Sequence, residues 1–114
     1  MKRVQAVVQS DKLSAVIDAM EKVGVGGITV SQSRGRGKGQ RPAIESGRGT
    51  GVHIAEFSSL DTLFAVVEDT KIEDLITAIK EAASTGSKGD GKIFISSVEE
   101  TVDIGSKQRG EQSL

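Results

Sequence analysis

Residues 85–95 read T-G-S-K-G-D-G-K-I-F-I and place three glycines and two lysines between a run of helical spacing and a run of strand character. Glycine lets backbone N–H groups turn inward and approach an anion closely, lysine adds positive charge, and the strand that follows fixes the end of the loop. The chemistry this stretch can do is to hold an anion. The amides of Gly89, Asp90 and Gly91 can receive phosphate oxygens, and Lys92 can add a point charge. A plain connection between a helix and a strand can have the same glycine content, so composition alone leaves both readings open. Bond-making chemistry has little support. His53 is the single histidine, which excludes a histidine pair on a metal and leaves a structural or surface role set against that of a proton carrier. There is no cysteine, so disulfides, thiolate metal sites and thiol nucleophiles are excluded. No G-x-S-x-G elbow accompanies the serines and threonines. Glu99 and Glu100 would point to opposite sides of an extended chain, which reads as a solvated edge rather than an acid–base pair. The chain is therefore read as a binding protein and not as an enzyme.

A second charged feature is concealed by the net charge of −1. Residues 34–49 hold Arg34, Arg36, Lys38, Arg41 and Arg48 against Glu45 alone, a local charge of +4 that leaves −5 on the rest. A cationic loop on an acidic body is drawn to phosphates, carboxylates or an acidic partner surface, although a solvated disordered loop would have the same composition. The segment 33–38, S-R-G-R-G-K, also resembles an arm for binding nucleic acid. It lacks aromatic residues for base stacking and sits on an acidic body, so no nucleic acid is expected.

The elements that must position these residues follow from periodicity. Val4, Ala6 and Val8 alternate along residues 2–9 as a half-buried strand. Asp11 is a candidate cap for a helix over 11–23, whose stripe is Leu13, Val16, Ile17, Met20 and Val23 and whose stop is Gly24. A strand at 28–33 follows, favoured by β-branched Ile28, Thr29 and Val30. The pattern then recurs. Alternation of Leu63, Ala65 and Val67 with Phe64, Val66 and Glu68 predicts a strand. Thr70 with Glu73 forms a capping box for a helix to about Ala83, with Ile72, Leu75, Ile76 and Ile79 as its stripe. A last strand at 92–97 puts Ile93 and Ile95 on one face and Phe94 on the other. Two β-α-β units in series predict an α+β, ferredoxin-like βαββαβ fold with a four-stranded antiparallel sheet. Both helices would cover one face, leaving the other in need of cover. At 114 residues with 36% hydrophobic and only 3% aromatic residues, the chain is one domain, 1–114, with an aliphatic core. No apolar run approaches the ~20 residues of a membrane span and no signal-peptide pattern opens the chain, so a cytoplasmic location is expected. The long connection between the second and third strands is rich in glycine and basic residues and lacks apolar periodicity, a pattern usual for functional or disordered loops. Residues 98–114 form a polar tail around Val102 and Ile104, expected to order only if tied to a neighbour.

The order of residues 85–95 closely resembles the carboxyl-terminal signature of the PII family of nitrogen-regulatory signal transducers. The opening M-K-R-V-Q-A-V-V, Lys12-Leu13 and the run G-V-G-G-I-T-V at 24–30 agree with it, and the likeness covers roughly residues 1–111. The resemblance implies a homotrimer whose intersubunit clefts bind ATP and ADP competitively, with Mg²⁺ accompanying ATP and 2-oxoglutarate as an effector. Residues of about 84–92 correspond to the family's B-loop around the phosphates, 36–57 to its partner-binding T-loop, and 101–114 to its C-terminal loop. Position matching puts Thr29 and Phe64 near the adenine, Gly27 and Gly35 along the pocket, Gly37 and Lys38 at the mouth of the T-loop, and Gly89, Asp90, Gly91 and Lys92 at the phosphates. Ligand state would set the T-loop, where Arg36, Arg41, Arg48 and Thr50 face a partner such as an ammonium transporter or nitrogen-assimilation enzyme. Membrane contact is expected only through such a transporter.

Departures from the family pattern are specific. The glutamine that helps hold Mg²⁺ and 2-oxoglutarate is replaced by Gly39 or displaced to Gln40, and the lysine that pairs with the distal oxoacid carboxylate falls at Leu60. An oxoacid would draw charge from Lys38, Arg36 or Arg41. The phosphate-clamping arginines fall at Asp103 and Gly105, with Lys107 and Arg109 near enough to replace them or to remain solvated. With no tyrosine in the chain, modification of a T-loop tyrosine is excluded, and Thr50 reads as an unmodified loop residue. The alternative reading is a PII-like sensor of bicarbonate or another adenine nucleotide without a 2-oxoglutarate response.

Overall fold

The structure, a computed structural model, describes residues 1–35, 43–45, 52–54 and 58–114. Strand β1 (Lys2–Gln9) turns Val4, Ala6 and Val8 to one side, where all three are buried. Helix α1 (Leu13–Val23) follows and buries Val16 and Met20, ending at Gly24 in the left-handed conformation at φ 92° that the absence of a Cβ permits. Then come β2 (Thr29–Gly35), the short β3 (Ala43–Glu45) and β4 (Val52–Ile54), β5 (Ser58–Val67), α2 (Ile72–Ala83) and β6 (Gly91–Ser97). Four strands form one sheet in the order β2-β5-β1-β6, every neighbouring pair antiparallel, and β3 pairs β4 separately. This is the expected ferredoxin-like α+β fold.

The core lies between the sheet and the two helices. Leu75, Ile79 and Ala83 of α2 and Val16 and Met20 of α1 meet Val4, Ala6, Val8, Leu63, Ala65 and Val67. Its buried residues are aliphatic or methionine, as the scarcity of aromatics predicts. Each larger side chain removed from water there stabilises the fold by ~1.5–3 kcal/mol. One member of that face is out of character. Asp61 of β5 is only 3% exposed, and its Oδ1 has no hydrogen-bond partner among the described residues.

Both predicted helix caps are corrected. Each helix is entered through a 3₁₀ turn, Ser10–Lys12 before α1 and Asp69–Lys71 before α2, so Lys12 and Lys71 occupy the cap positions and neither makes a side-chain capping bond. Asp11 and Thr70 lie inside these turns, where backbone bonds from the residue three further on replace side-chain capping. The acid of the second turn has other work: Asp69 pairs with the Met1 ammonium at 3.0 Å. Lys71 reaches back to the Gly24 carbonyl at 3.0 Å, placing a cation at the C-terminus of α1 and tying the end of one helix to the start of the other.

The tail, too, departs from expectation, because its own chain orders it. Thr101 Oγ1 lies 2.6 Å from Ser113 Oγ and donates to the Gly110 carbonyl at 3.0 Å, while Val102 bridges Arg109. Leu114 closes on the loop before β2, where a Cβ added to Gly26 would lie 3.1 Å from the Leu114 carbonyl carbon.

Candidate functional site

The glycine-rich loop leaves α2 at Ser84 and enters β6 at Gly91, and three independent contacts set its path. At its neck, Asp90 turns its carboxylate inward: Oδ2 accepts from the Thr85 amide at 2.6 Å and the Ser87 amide at 3.2 Å, and Oδ1 accepts from Thr85 Oγ1 at 2.5 Å. At its crest, Gln9 Nε2 donates to the Gly89 carbonyl at 2.5 Å. At its exit, Gly91 (φ 126°) passes so close to β1 that an added Cβ would lie 1.9 Å from the Val7 carbonyl oxygen. Glycine at position 91 is thus demanded by strand approach, a reason the sequence reading did not supply.

These contacts also use the loop's own donors. The Gly89 amide donates to Ser87 Oγ at 3.1 Å and the Asp90 amide to the Ser87 carbonyl at 3.3 Å. An incoming phosphate oxygen therefore meets Gly89 N only after the Ser87 hydroxyl rotates away, a small and inexpensive motion. Lys88 and Lys92 are exposed and free to supply charge. The donor set fits a phosphate once that hydroxyl has turned. The Asp90 carboxyl is held below its ordinary value of 3.8, first by the Thr85 hydroxyl and then by the Thr85 amide.

The strand register brings several predicted residues onto one sheet face. Thr29, Phe64, Gln5 and Phe94 form a row across all four strands, and Lys92 lies in the next row opposite Val7. Thr29 and Phe64, the pair expected near an adenine, are direct cross-strand neighbours. Lys92 shares their face but on the opposite edge strand, across about 14 Å of sheet at the usual spacing between strands. The face of the Phe64 ring is already occupied by Arg3, whose guanidinium carbon stands 4.6 Å from the centroid. Arg3 and Gln9 are the two residues that sequence reasoning missed. Their roles depend on pairing with strands some 60 to 80 residues away in sequence, and outward alternation on β1 was the only signal for either.

Other predicted residues are dispersed. Gly27 lies in the connection before β2 with open space around it, and Gly35 ends β2 opposite Ser58. Leu60 sits in β5, half buried, paired with Ser33 and Gln9. In the tail, Asp103 accepts from the Ser106 amide at 2.9 Å and fixes its own turn, and Lys107 occupies that turn at a φ of 64°. Arg109 pairs with the exposed Glu100, so one of the two replacement cations already has a partner. Arg36, Gly37, Lys38, Gly39, Gln40, Arg41, Arg48 and Thr50 lie outside the described residues, as does the His53 side chain. Among the described residues no cluster of three or more His, Cys, Asp or Glu side chains could hold a metal, and no helix is long and apolar enough to cross a membrane.

Comparison with known proteins decides the family. The family model described as nitrogen regulatory protein P-II matches residues 1–108. The chain belongs to the P-II family. It is 38% identical to the nitrogen regulatory protein P-II of Azospirillum brasilense over the full length of both chains. It is 36% identical to that of Rhodospirillum rubrum over the same extent. Its identity to nitrogen regulatory protein P-II 2 of Methanothermobacter thermautotrophicus is 37%, over all of this chain and 97% of the relative. As a P-II protein the chain falls in the class of nitrogen-regulatory signal transduction. Family members are regulators, in keeping with the absence of a catalytic constellation from the sequence.

Proposed function

We propose that this P-II protein is a homotrimeric, cytoplasmic sensor of ATP and ADP, and of 2-oxoglutarate, that controls an ammonium transporter or a nitrogen-assimilation enzyme through residues 36–57. The observation that carries the reading is the shaped loop at 84–92, which delivers Lys92 onto the same sheet face as Thr29 and Phe64. Thr29 and Lys92 occupy opposite edges of one sheet, so an enclosed pocket needs a second copy, and a cleft between subunits supplies it. Adenine packs near Thr29 and Phe64, and Gly89, Gly91 and Lys92 receive the phosphates. Lys107 or Arg109 adds charge from the tail, and Gln40, Lys38 and Gly39 are the residues assigned to Mg²⁺ and the oxoacid. Differential affinity of ATP with oxoacid, and of ADP, for two loop states is the signal.

Titration calorimetry with ATP and ADP, with and without Mg²⁺ and 2-oxoglutarate, tests this. Binding of 2-oxoglutarate only in the presence of Mg-ATP supports the full reading; no binding of either nucleotide ends it. Lys92→Ala is expected to lower nucleotide affinity about tenfold or more, the scale of a lost charge-assisted hydrogen bond, with the oligomer intact. A second reading is favoured by Leu60. Without a cation at that position the protein senses bicarbonate or another adenine nucleotide, and the same titration then shows nucleotide binding with no response to 2-oxoglutarate.

A further inference from the structure

A loop with glycines at 86, 89 and 91 is an expensive scaffold for a binding site, because each glycine gives the chain more freedom to lose when a ligand orders it. A cradle of this composition binds well only if something shapes it beforehand. A carboxylate is suited to that task, having two oxygens that together accept about four hydrogen bonds. It is also the worst group to aim at a phosphate. Asp90 resolves the conflict by direction: its oxygens face the neck of the loop and take the Thr85 amide, the Thr85 hydroxyl and the Ser87 amide. In return the Asp90 amide closes on the Ser87 carbonyl, so the chain from 85 to 90 is cross-linked at both its ends.

We propose that Asp90 is a positioning residue and not a ligand contact: its carboxylate stands inside the loop as a built-in hydrogen-bond acceptor, fixing Gly89 and Lys92 for the phosphates of a nucleoside diphosphate or triphosphate. The inference rests on the nucleotide reading above. It revises the assignment of Asp90 among the phosphate-contacting residues, and it gives a reason for a threonine five positions before the aspartate. The lowered pKa of Asp90 agrees with a carboxylate held charged by donors within the loop. An asparagine can occupy the same geometry, its carbonyl oxygen taking the two amides and its NH₂ donating to the Thr85 hydroxyl. Negative charge is therefore dispensable for this role, whereas a carboxylate that bound Mg²⁺ would not be replaceable by an amide.

The test compares wild type, Asp90→Ala, Asp90→Asn and Thr85→Val by two readouts. The first is amide hydrogen exchange at Thr85 and Ser87 in nucleotide-free protein. The second is calorimetric titration with ADP in the absence of Mg²⁺ and with ATP in its presence. Asp90→Ala is expected to speed exchange at both amides and weaken ADP about tenfold or more, by the loss of hydrogen bonds to a charged acceptor. Asp90→Asn is expected to recover most of both, and Thr85→Val, which removes one bond and spares the fold, to fall between. ADP affinity unaltered in Asp90→Ala would overturn the proposal. So would an Asp90→Asn protein whose amides stay protected while its affinity for Mg-ATP collapses, which would make the carboxylate a ligand or metal contact. Failure of wild type to bind any nucleotide overturns the functional reading instead, and the exchange comparison still decides whether Asp90 shapes the loop.

Discussion

At the residue scale, the two glycines that open and close the loop are not equivalent. Gly86 has a φ of 84° with open space where a Cβ would go, whereas Gly91 has a φ of 126° and the Val7 carbonyl oxygen within 1.9 Å of that point. Gly86→Ala is expected to cost about 1 kcal/mol, the backbone penalty alone. Gly91→Ala must add a displacement of β1 or β6 and is expected to cost at least about 3 kcal/mol, at the upper end of local strain energies. Urea denaturation of the two variants measures the difference, and equal midpoints would remove the steric argument. Asp61 makes the opposite case. A buried carboxyl oxygen with no partner among the described residues carries a desolvation cost of ~1–3 kcal/mol, so Asp61→Val is expected to raise stability by about 1 kcal/mol or more. A lower denaturation midpoint would show that Asp61 has a partner in solution. The sequence displayed Lys92, Phe64 and Thr29 as candidates because their types announce a chemistry. It could not display Asp90 as a lock or Gly91 as a contact point, since those roles arise from where the backbone runs.

At the element scale, strands and helices were legible and their joints were not. The buried stripes of α1 and α2 and the alternation of β1 and β5 are periodic signals that any register preserves. The helix starts failed because Asp11 and Thr70 have the right chemistry for caps, yet a 3₁₀ turn shifts the cap position on to lysine in both cases. The tail failed for another reason: its order is assembled from scattered contacts, Thr101 with Met1 Sδ at 3.5 Å, Arg109 with Glu100 and Leu114 with Gly26, none of which has a period. The Glu100–Arg109 pair is the measurable part of that assembly. Arg109 holds the Glu100 carboxyl below its ordinary value of 4.5, first through the hydrogen bond and then through charge. A lowered folded-state pKa means a contribution to stability that is present above the unfolded value and is lost as pH falls through the folded one. Asp69, Asp90 and Asp103 are lowered in the same direction from 3.8, so the Glu100 contribution is lost as pH falls below about 4.5 and those of the three aspartates as it falls below about 3.8. Carboxyl NMR titration is expected to find Glu100 below 4.5 in the wild type and back at that value in Arg109→Ala. No change between the two would dissolve the pair.

At the scale of the whole molecule, the sheet has one face under the helices and one without. Phe94 stands on the bare face, 51% exposed, in the row that runs through Gln5 and Phe64 to Thr29. Half-buried Val7 and Val66 lie on the same side, so the face carries apolar side chains among the polar Gln5, Thr29 and Lys92 where a lone chain would meet water. A face of that kind on a chain this small is a surface for association, because further burial there adds to a modest core. The proposed nucleotide cleft needs the same event, since Lys92 and Thr29 occupy opposite edges of one sheet. Assembly and ligand binding are therefore expected to fail together. Phe94→Glu places a charge on the edge strand of that face without touching the helix-side core, so the monomer fold should persist by circular dichroism. Sedimentation is expected to show a single chain in place of the proposed trimer, and ADP affinity to fall about a hundredfold or more although Gly89, Asp90 and Lys92 are unaltered, because half of each proposed cleft is gone. A monomeric Phe94→Glu protein that binds ADP as wild type does would place the whole site within one subunit, and a trimeric one would move the interface off this face.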